Sequence, residues 1–165
     1  MVLVSKELQH QLIDHDHLQQ QLAALPSVQV LKAALQAGQS QLDDIFQEHK
    51  ENRINELVHA RAWLVDQILR MAWQQYSWPE EAALVAVGGY GRRELHPQSD
   101  VDLLILLGNG LNASSWHRCT QEFITFIWDL GLQIGSSVRT LEDCCEQAKN
   151  DITIATSLIE SHTII

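Results

Sequence analysis

The stretch that decides the fold runs from Leu84 to Leu107 and has the sequence LVAVGGYGRRELHPQSDVDLLILL. Its first apolar run, Leu84–Val87, predicts a short buried strand. A second apolar run, Leu103–Leu107, predicts another strand, and a glycine-rich turn and a Ser-Asp-Val-Asp box lie between the two. The sequence therefore predicts two neighbouring strands whose connection concentrates glycines and acids.

Two carboxylates stand at the start of the second strand. Side chains alternate faces along a strand, so Asp100 and Asp102 are expected to point the same way and Val101 to the opposite face. Two neighbouring carboxylates repel each other, and a divalent cation removes that repulsion by using their oxygens as hard ligands. The spacing therefore predicts a site for Mg²⁺, or Mn²⁺, at Asp100 and Asp102.

The glycine turn complements the acids. Gly88, Gly89 and Gly91 lack a Cβ, so the backbone can bend sharply and its N–H groups can approach a phosphate. A Gly-Gly turn can also be an ordinary hairpin connection, and Ser-Asp can be only a turn or a cap. The glycine turn and the Ser-Asp-Val-Asp box occur together and in this order, which favours a nucleotidyl-transfer site.

Further segments extend this pattern along the chain. They are Gly88–Arg92, Glu94–Pro97, Ser99–Leu104, Trp128–Leu132, Gly135–Glu142 and Ala155–Ser161, with weaker matches at Ala60–Arg61 and Val65–Leu69. Together they resemble the polymerase-β-type nucleotidyltransferase signature. More narrowly, they resemble the N-terminal domain of the bacterial PII uridylyltransferase/uridylyl-removing enzymes. That family has a longer chain with hydrolase and regulatory domains, so this chain is expected to be a fragment.

The resemblance implies a reaction and roles for individual residues. UMP would pass from UTP to a tyrosine of the PII nitrogen-signalling protein with release of pyrophosphate, and Asp100 and Asp102 would hold two metal ions. Gly88 and Gly89 would bind the triphosphate through backbone N–H groups, with Ser99 as a further contact. Arg92 or Arg93 would add positive charge near the phosphates.

A third carboxylate is usual in that superfamily, on a later strand. The predicted strand Leu132–Arg139 contains no acid, so Glu160 and Asp129 are the candidates for this catalytic role, and a capping or ion-pair role for Glu160 stays open. Two positions depart from the family pattern. Ser136 stands where the resemblance implies His, and His162 stands where it implies Arg.

Composition narrows the class of protein. The chain has 165 residues, enough for one domain, and a net charge of −10, which disfavours nucleic acid as a substrate. No apolar run is long enough to cross a membrane, and the apolar start is too short for a signal peptide. Three cysteines without a metal-site spacing fit a reducing compartment, so we predict a cytoplasmic protein.

The predicted fold class is α+β, a nucleotidyltransferase-like small mixed sheet flanked by helices. Residues 1–79 are expected to form a helical N-terminal extension, and residues 80–165 a core truncated at its C-terminus. Periodic apolar residues predict helices over 5–25, 28–50, 52–76 and 114–130, the last of these with Trp128 facing inward, and a final helix over 151–160. Residues 108–110 predict a turn, and Thr140 with Asp143 predicts a capping-box-like start of a further helix. Asp14-His15-Asp16-His17 could suggest metal binding, but a solvated helix face is the preferred interpretation.

Three functions stay open at this point. The chain can be an active uridylyltransferase domain, a non-catalytic fragment that binds nucleotide or PII without turnover, or a related adenylyl-transferring domain. The intact pair of Asp100 and Asp102 favours catalysis. Nothing in the sequence discriminates uracil from adenine.

Overall fold

The N-terminal part of the computed structural model, which describes residues 4–48, 53–108 and 113–165, is helical. Helix α1 spans Lys6–Leu12 and helix α2 spans His15–Ala24. The single helix predicted over 5–25 is therefore wrong. The break has a local cause, because the Asp14 side chain accepts a hydrogen bond from the backbone N–H of His17 and starts a new helix.

Two long helices follow and pack against each other. Helix α3 spans Ser27–Glu48 and helix α4 spans Ile54–Trp73. Helix α4 is buried over most of its length, as its broad apolar stripe predicts, although Ile54 at its start is 45% exposed. It joins the N-terminal helices and the sheet in one continuous core.

A four-stranded mixed sheet forms the second layer. Its strands are β1 (Ala82–Ala86), β2 (Val101–Leu107), β3 (Ile134–Thr140) and β4 (His162–Thr163). The order across the sheet is β3-β2-β1-β4. Strands β2 and β3 are parallel, whereas β1 pairs antiparallel with both β2 and β4. The predicted mixed sheet flanked by helices is confirmed.

The remaining helices connect these strands. They are α5 (Gly88–Gly91), α6 (Ala113–Asp129), α7 (Leu141–Asn150) and α8 (Ile152–Ile159). Helix α6 provides the crossover that two parallel strands require. Gly131 follows it with a φ of +90°, and Thr140 and Asp143 form the predicted capping box of α7. A turn predicted at residues 108–110 lies partly outside the described residues.

The sheet is covered on both faces. On one face, Val101, Leu103, Ile105 and Leu107 enter the main core with residues of α4 and α6. On the other, Leu104 packs with Val85, Cys144 and Leu158. One predicted core residue is wrong: Trp128 is 58% exposed, because Phe123 and Ile127 fill the inward face of α6 and the next residue points about 100° away.

Candidate active site

A polar cleft of about 440 Å³ opens at the start of β2. Both predicted metal ligands line it: Asp102 is the second residue of β2, and Asp100 lies one residue before the strand. Asp100 is exposed, whereas Asp102 is half-buried. The cleft is also lined by Gly89, Arg92, Glu94, His96 and Ser99. The structure thus brings the acids, the glycine turn and the serine of the sequence prediction to one place.

The Asp102 carboxylate lies between two glycines. Gly88, the first residue of α5 just after β1, has a φ of +63°, and a Cβ there would lie 3.3 Å from Asp102 Oδ2. Gly135 is opposite Asp102 in the parallel β2–β3 ladder, and a Cβ on it would collide with Oδ1. The carboxylate therefore occupies space that side chains would fill at either neighbour. Sequence reasoning assigned no role to Gly135; its signals were a glycine inside a predicted strand and its place in a segment that carried the family pattern.

The electrostatics of this carboxylate suit a cation. Burial, and secondarily the charge of Asp100, raise the pKa of Asp102 above its ordinary value. A bound divalent cation would lower the free-energy cost of keeping this carboxylate ionised. Carboxylate oxygens are also the ligands that Mg²⁺ and Mn²⁺ prefer. The donor set at Asp100 and Asp102 therefore fits such an ion. In the described part of the chain, no cluster of three or more His, Cys, Asp or Glu residues could hold a metal.

The glycine turn is itself a single helical turn, α5, and the bend predicted from sequence is closed by backbone hydrogen bonds. The Gly91 N–H donates to the Val87 carbonyl over 3.0 Å. A Cβ on Gly89 would meet only Arg92 Nη2 at 3.7 Å and the Glu94 carbonyl at 3.8 Å, which is ordinary contact. Packing therefore does not require a glycine at position 89. At Gly91, by contrast, a Cβ would collide with the Glu160 backbone carbonyl.

Arg92 and Glu160 contact each other at the edge of the cleft. Arg92 Nη1 lies 2.7 Å from Glu160 Oε2, and Arg92 Nε lies 3.0 Å from Glu94 Oε2. The hydrogen bonds that Arg92 donates to these two carboxylates, that to Glu94 first, raise the pKa of Arg92. Glu160 is thus placed beside an arginine and does not line the cleft with Asp100 and Asp102. The other candidate, Asp129, is exposed at the end of α6 and is not part of the cleft wall.

Asp102 also borders a second depression, of about 380 Å³, on the side of β3 and α8. Hydroxyl and cationic groups line this depression, namely Ser136, Ser137, Arg139, Thr153 and Ser157. Asp102 therefore borders both depressions. Ser137, Arg139 and Ser157 lay inside segments that carried the family pattern but had no role assigned from the sequence.

Comparison with known proteins agrees with this geometry. The family model described as "Nucleotidyltransferase domain" matches residues 65–151. The chain is 46% identical over 157 residues to a bifunctional uridylyltransferase/uridylyl-removing enzyme of Pseudomonas putida, and 46% identical over 156 residues to that of Azotobacter vinelandii. Each alignment covers 93% of this chain and 17% of the relative. The chain thus spans about a sixth of the length of these curated relatives.

No helix in the described residues is both long enough and apolar enough to cross a membrane.

Proposed function

This chain belongs to the nucleotidyltransferase domain family, and from that premise we propose that it transfers UMP from UTP to a tyrosine of the PII nitrogen-signalling protein. Its relatives are bifunctional uridylyltransferase/uridylyl-removing enzymes, which supports uridylyl as the transferred group. PII as the acceptor and UTP as the donor are part of the proposal. The observation that carries it is the Asp102 carboxylate, set between two glycines and next to Asp100 at the wall of one cleft.

In the proposed reaction the tyrosine oxygen attacks the α-phosphorus of UTP. A new P–O bond forms, the bond to the pyrophosphate oxygen breaks, and the phenolic proton is released. Asp100 and Asp102 would hold two divalent cations, Mg²⁺ or Mn²⁺, which when bound supply positive charge to the attacking and leaving oxygens. The raised pKa of Asp102 supports this assignment, since a cation offsets both the cost of burying the charged carboxylate and the repulsion from Asp100.

The remaining cleft residues would bind and orient the triphosphate. Gly88 and Gly89 would present backbone N–H groups, and the space above Gly89 supports close approach of a phosphate. Ser99 would donate a hydroxyl hydrogen bond. Arg92 would supply charge at the cleft edge, and Glu160 would contribute by holding Arg92 in place over 2.7 Å.

The test is a transfer assay with α-labelled UTP or ATP and purified PII. We expect label on PII only with UTP and only when Mg²⁺ or Mn²⁺ is present. Asp100→Asn serves as the inactive control. Equal labelling from ATP would assign the chain to adenylyl transfer, and nucleotide binding without labelling would mark it as a binding module.

A further inference from the structure

A buried carboxylate outside the cleft connects three elements of the fold. Asp66 on α4 is only 1% exposed, and the Tyr90 hydroxyl donates to its Oδ1 over 2.5 Å. His162 Nε2 lies 3.1 Å from Asp66 Oδ2, and Arg93 Nη1 lies 3.6 Å from the same oxygen. Helix α4 is thereby tied to the glycine turn α5 and to strand β4. Sequence analysis assigned no role to Asp66, and it noted His162 only as a departure from the family pattern.

The contacts of His162 determine where its protons are. Its Nδ1 lies 2.9 Å from the Gly91 carbonyl, which can only accept, so Nδ1 carries a hydrogen. Its Nε2 faces the Asp66 carboxylate, which accepts as well unless it is itself protonated. Both bonds exist together only if a second proton lies between His162 and Asp66. The pair therefore holds one proton more than a neutral histidine beside an ionised aspartate.

Tyr90 does not supply that proton. Complete burial, followed by the charge of Asp66, raises the pKa of the Tyr90 hydroxyl well above its ordinary value, so the hydroxyl remains a donor. The other charged groups near His162 are Arg70 on α4 and Arg93 after α5. Arg70 donates to the Ile164 carbonyl over 2.7 Å, so it already has a partner.

The bonded groups belong to the turn that would carry phosphate. Helix α5 has four residues, too few to be stable alone. Its last two residues are held by side chains from elsewhere in the fold: Tyr90 bonds to Asp66, and Gly91 bonds to His162. Its first two residues, Gly88 and Gly89, are the proposed phosphate contacts. The orientation of the N–H groups at the cleft therefore depends on bonds made at the opposite end of the turn.

We propose that Asp66 and His162 are positioning residues for the triphosphate-binding turn, and that the proton shared between them keeps the turn in its binding orientation. This inference rests on the proposed function. His162→Arg offers a permanent cation with donors for both partners, whereas His162→Gln removes the charge.

The experiment measures the KM for UTP and kcat for the parent, His162→Gln and His162→Arg, with His117→Gln on the exposed face of α6 as the matched control. His162→Gln should raise the KM by about tenfold or more, with a smaller change in kcat. His162→Arg should restore the KM, and His117→Gln should leave it unchanged. A parent-like KM in His162→Gln, or a KM in His162→Arg as high as in His162→Gln, would overturn the proposal.

A second measurement does not depend on the reaction. Amide hydrogen-exchange protection of α5 without nucleotide, compared at one pH, should be high in the parent and in His162→Arg and low in His162→Gln. If transfer is absent but protection follows this order, the proposed function fails and the positioning role stands. If protection at α5 is the same in all three proteins, the positioning role fails whatever the activity.

Discussion

Gly135→Ala should separate stability from activity at this site. Gly135 is two residues into β3 and paired with Asp102, and the added methyl would overlap Asp102 Oδ1. Asp102 Oδ1 is the end of a side chain and not a backbone atom, so the carboxylate can move away from the methyl group while the strands stay paired. Ordinary contact with a Cβ begins at 3.4 Å, which requires the carboxylate to move by about 1 Å.

The two consequences have different magnitudes. Alanine in place of glycine favours the folded strand by about 0.5–1 kcal/mol. A displaced Asp102 rotamer costs a similar amount, about 0.5–1.5 kcal/mol, so the net stability should change little. Catalysis has no such compensation, because a misplacement of about 1 Å lowers the rate about 10²-fold. That factor corresponds to about 2.7 kcal/mol of transition-state stabilisation.

The measurements are thermal unfolding, Mn²⁺ binding by electron paramagnetic resonance, and uridylyl transfer. We expect an almost unchanged Tm, weaker Mn²⁺ binding and a loss of turnover. Val138→Ala is the control on the same strand, since Val138 is 40% exposed and its loss should leave Mn²⁺ binding intact. Parent-like Mn²⁺ affinity and turnover in Gly135→Ala would refute the placement of Asp102 as a metal ligand.

Three further predictions concern the same cleft. Asp100→Asn should reduce transfer by at least about 10²-fold with a Tm close to that of the parent, because the side chain is exposed; substantial metal-dependent turnover would contradict its role. Gly89→Val should fold normally, since its Cβ meets nothing closer than 3.7 Å, but should raise the KM for UTP; an unchanged KM would exclude phosphate contact there. Because the pKa of Asp102 is raised in the folded protein, its neutral form is more favoured there than in the unfolded chain, and the stability that this contributes is lost as pH rises through the raised pKa. Stabilisation by Mg²⁺ should accordingly grow over the same rise, and calorimetry showing the largest effect at acidic pH would reverse the assignment.

The sequence predicted the parts of the site that are contiguous in the chain. Asp100, Asp102 and the glycines lie within one short stretch, so alternation along a strand and the freedom of glycine were sufficient to bring them together. The proposed roles of Gly135 and Asp66 were not predicted, because they depend on contacts with residues far away in sequence. A glycine in a strand and an aspartate in an apolar helix do not disclose those neighbours.

The helix boundaries show the same difference between features that depend on local sequence and features that depend on tertiary contacts. The capping box of Thr140 and Asp143 is local and was predicted correctly, whereas the break at Asp14 was missed because the apolar spacing continues across it. Trp128 was misplaced for a related reason, since an apolar residue next to the core stripe is indistinguishable from a member of it until the sheet is in place. The division of the chain at residue 79 stays a prediction, and one continuous core runs across that boundary.

The closing of the sheet by β4 has a consequence for biosynthesis. His162 bonds to Gly91 across 71 residues and to Asp66 across 96 residues, whereas β1, α5 and β2 are adjacent in the chain. Segments emerge from the ribosome in order, and contacts between distant residues form late. A nascent chain thus acquires its acidic strand before the histidine that we propose orders its glycine turn. Competence to bind nucleotide would arise only after β4 has left the exit tunnel and docked.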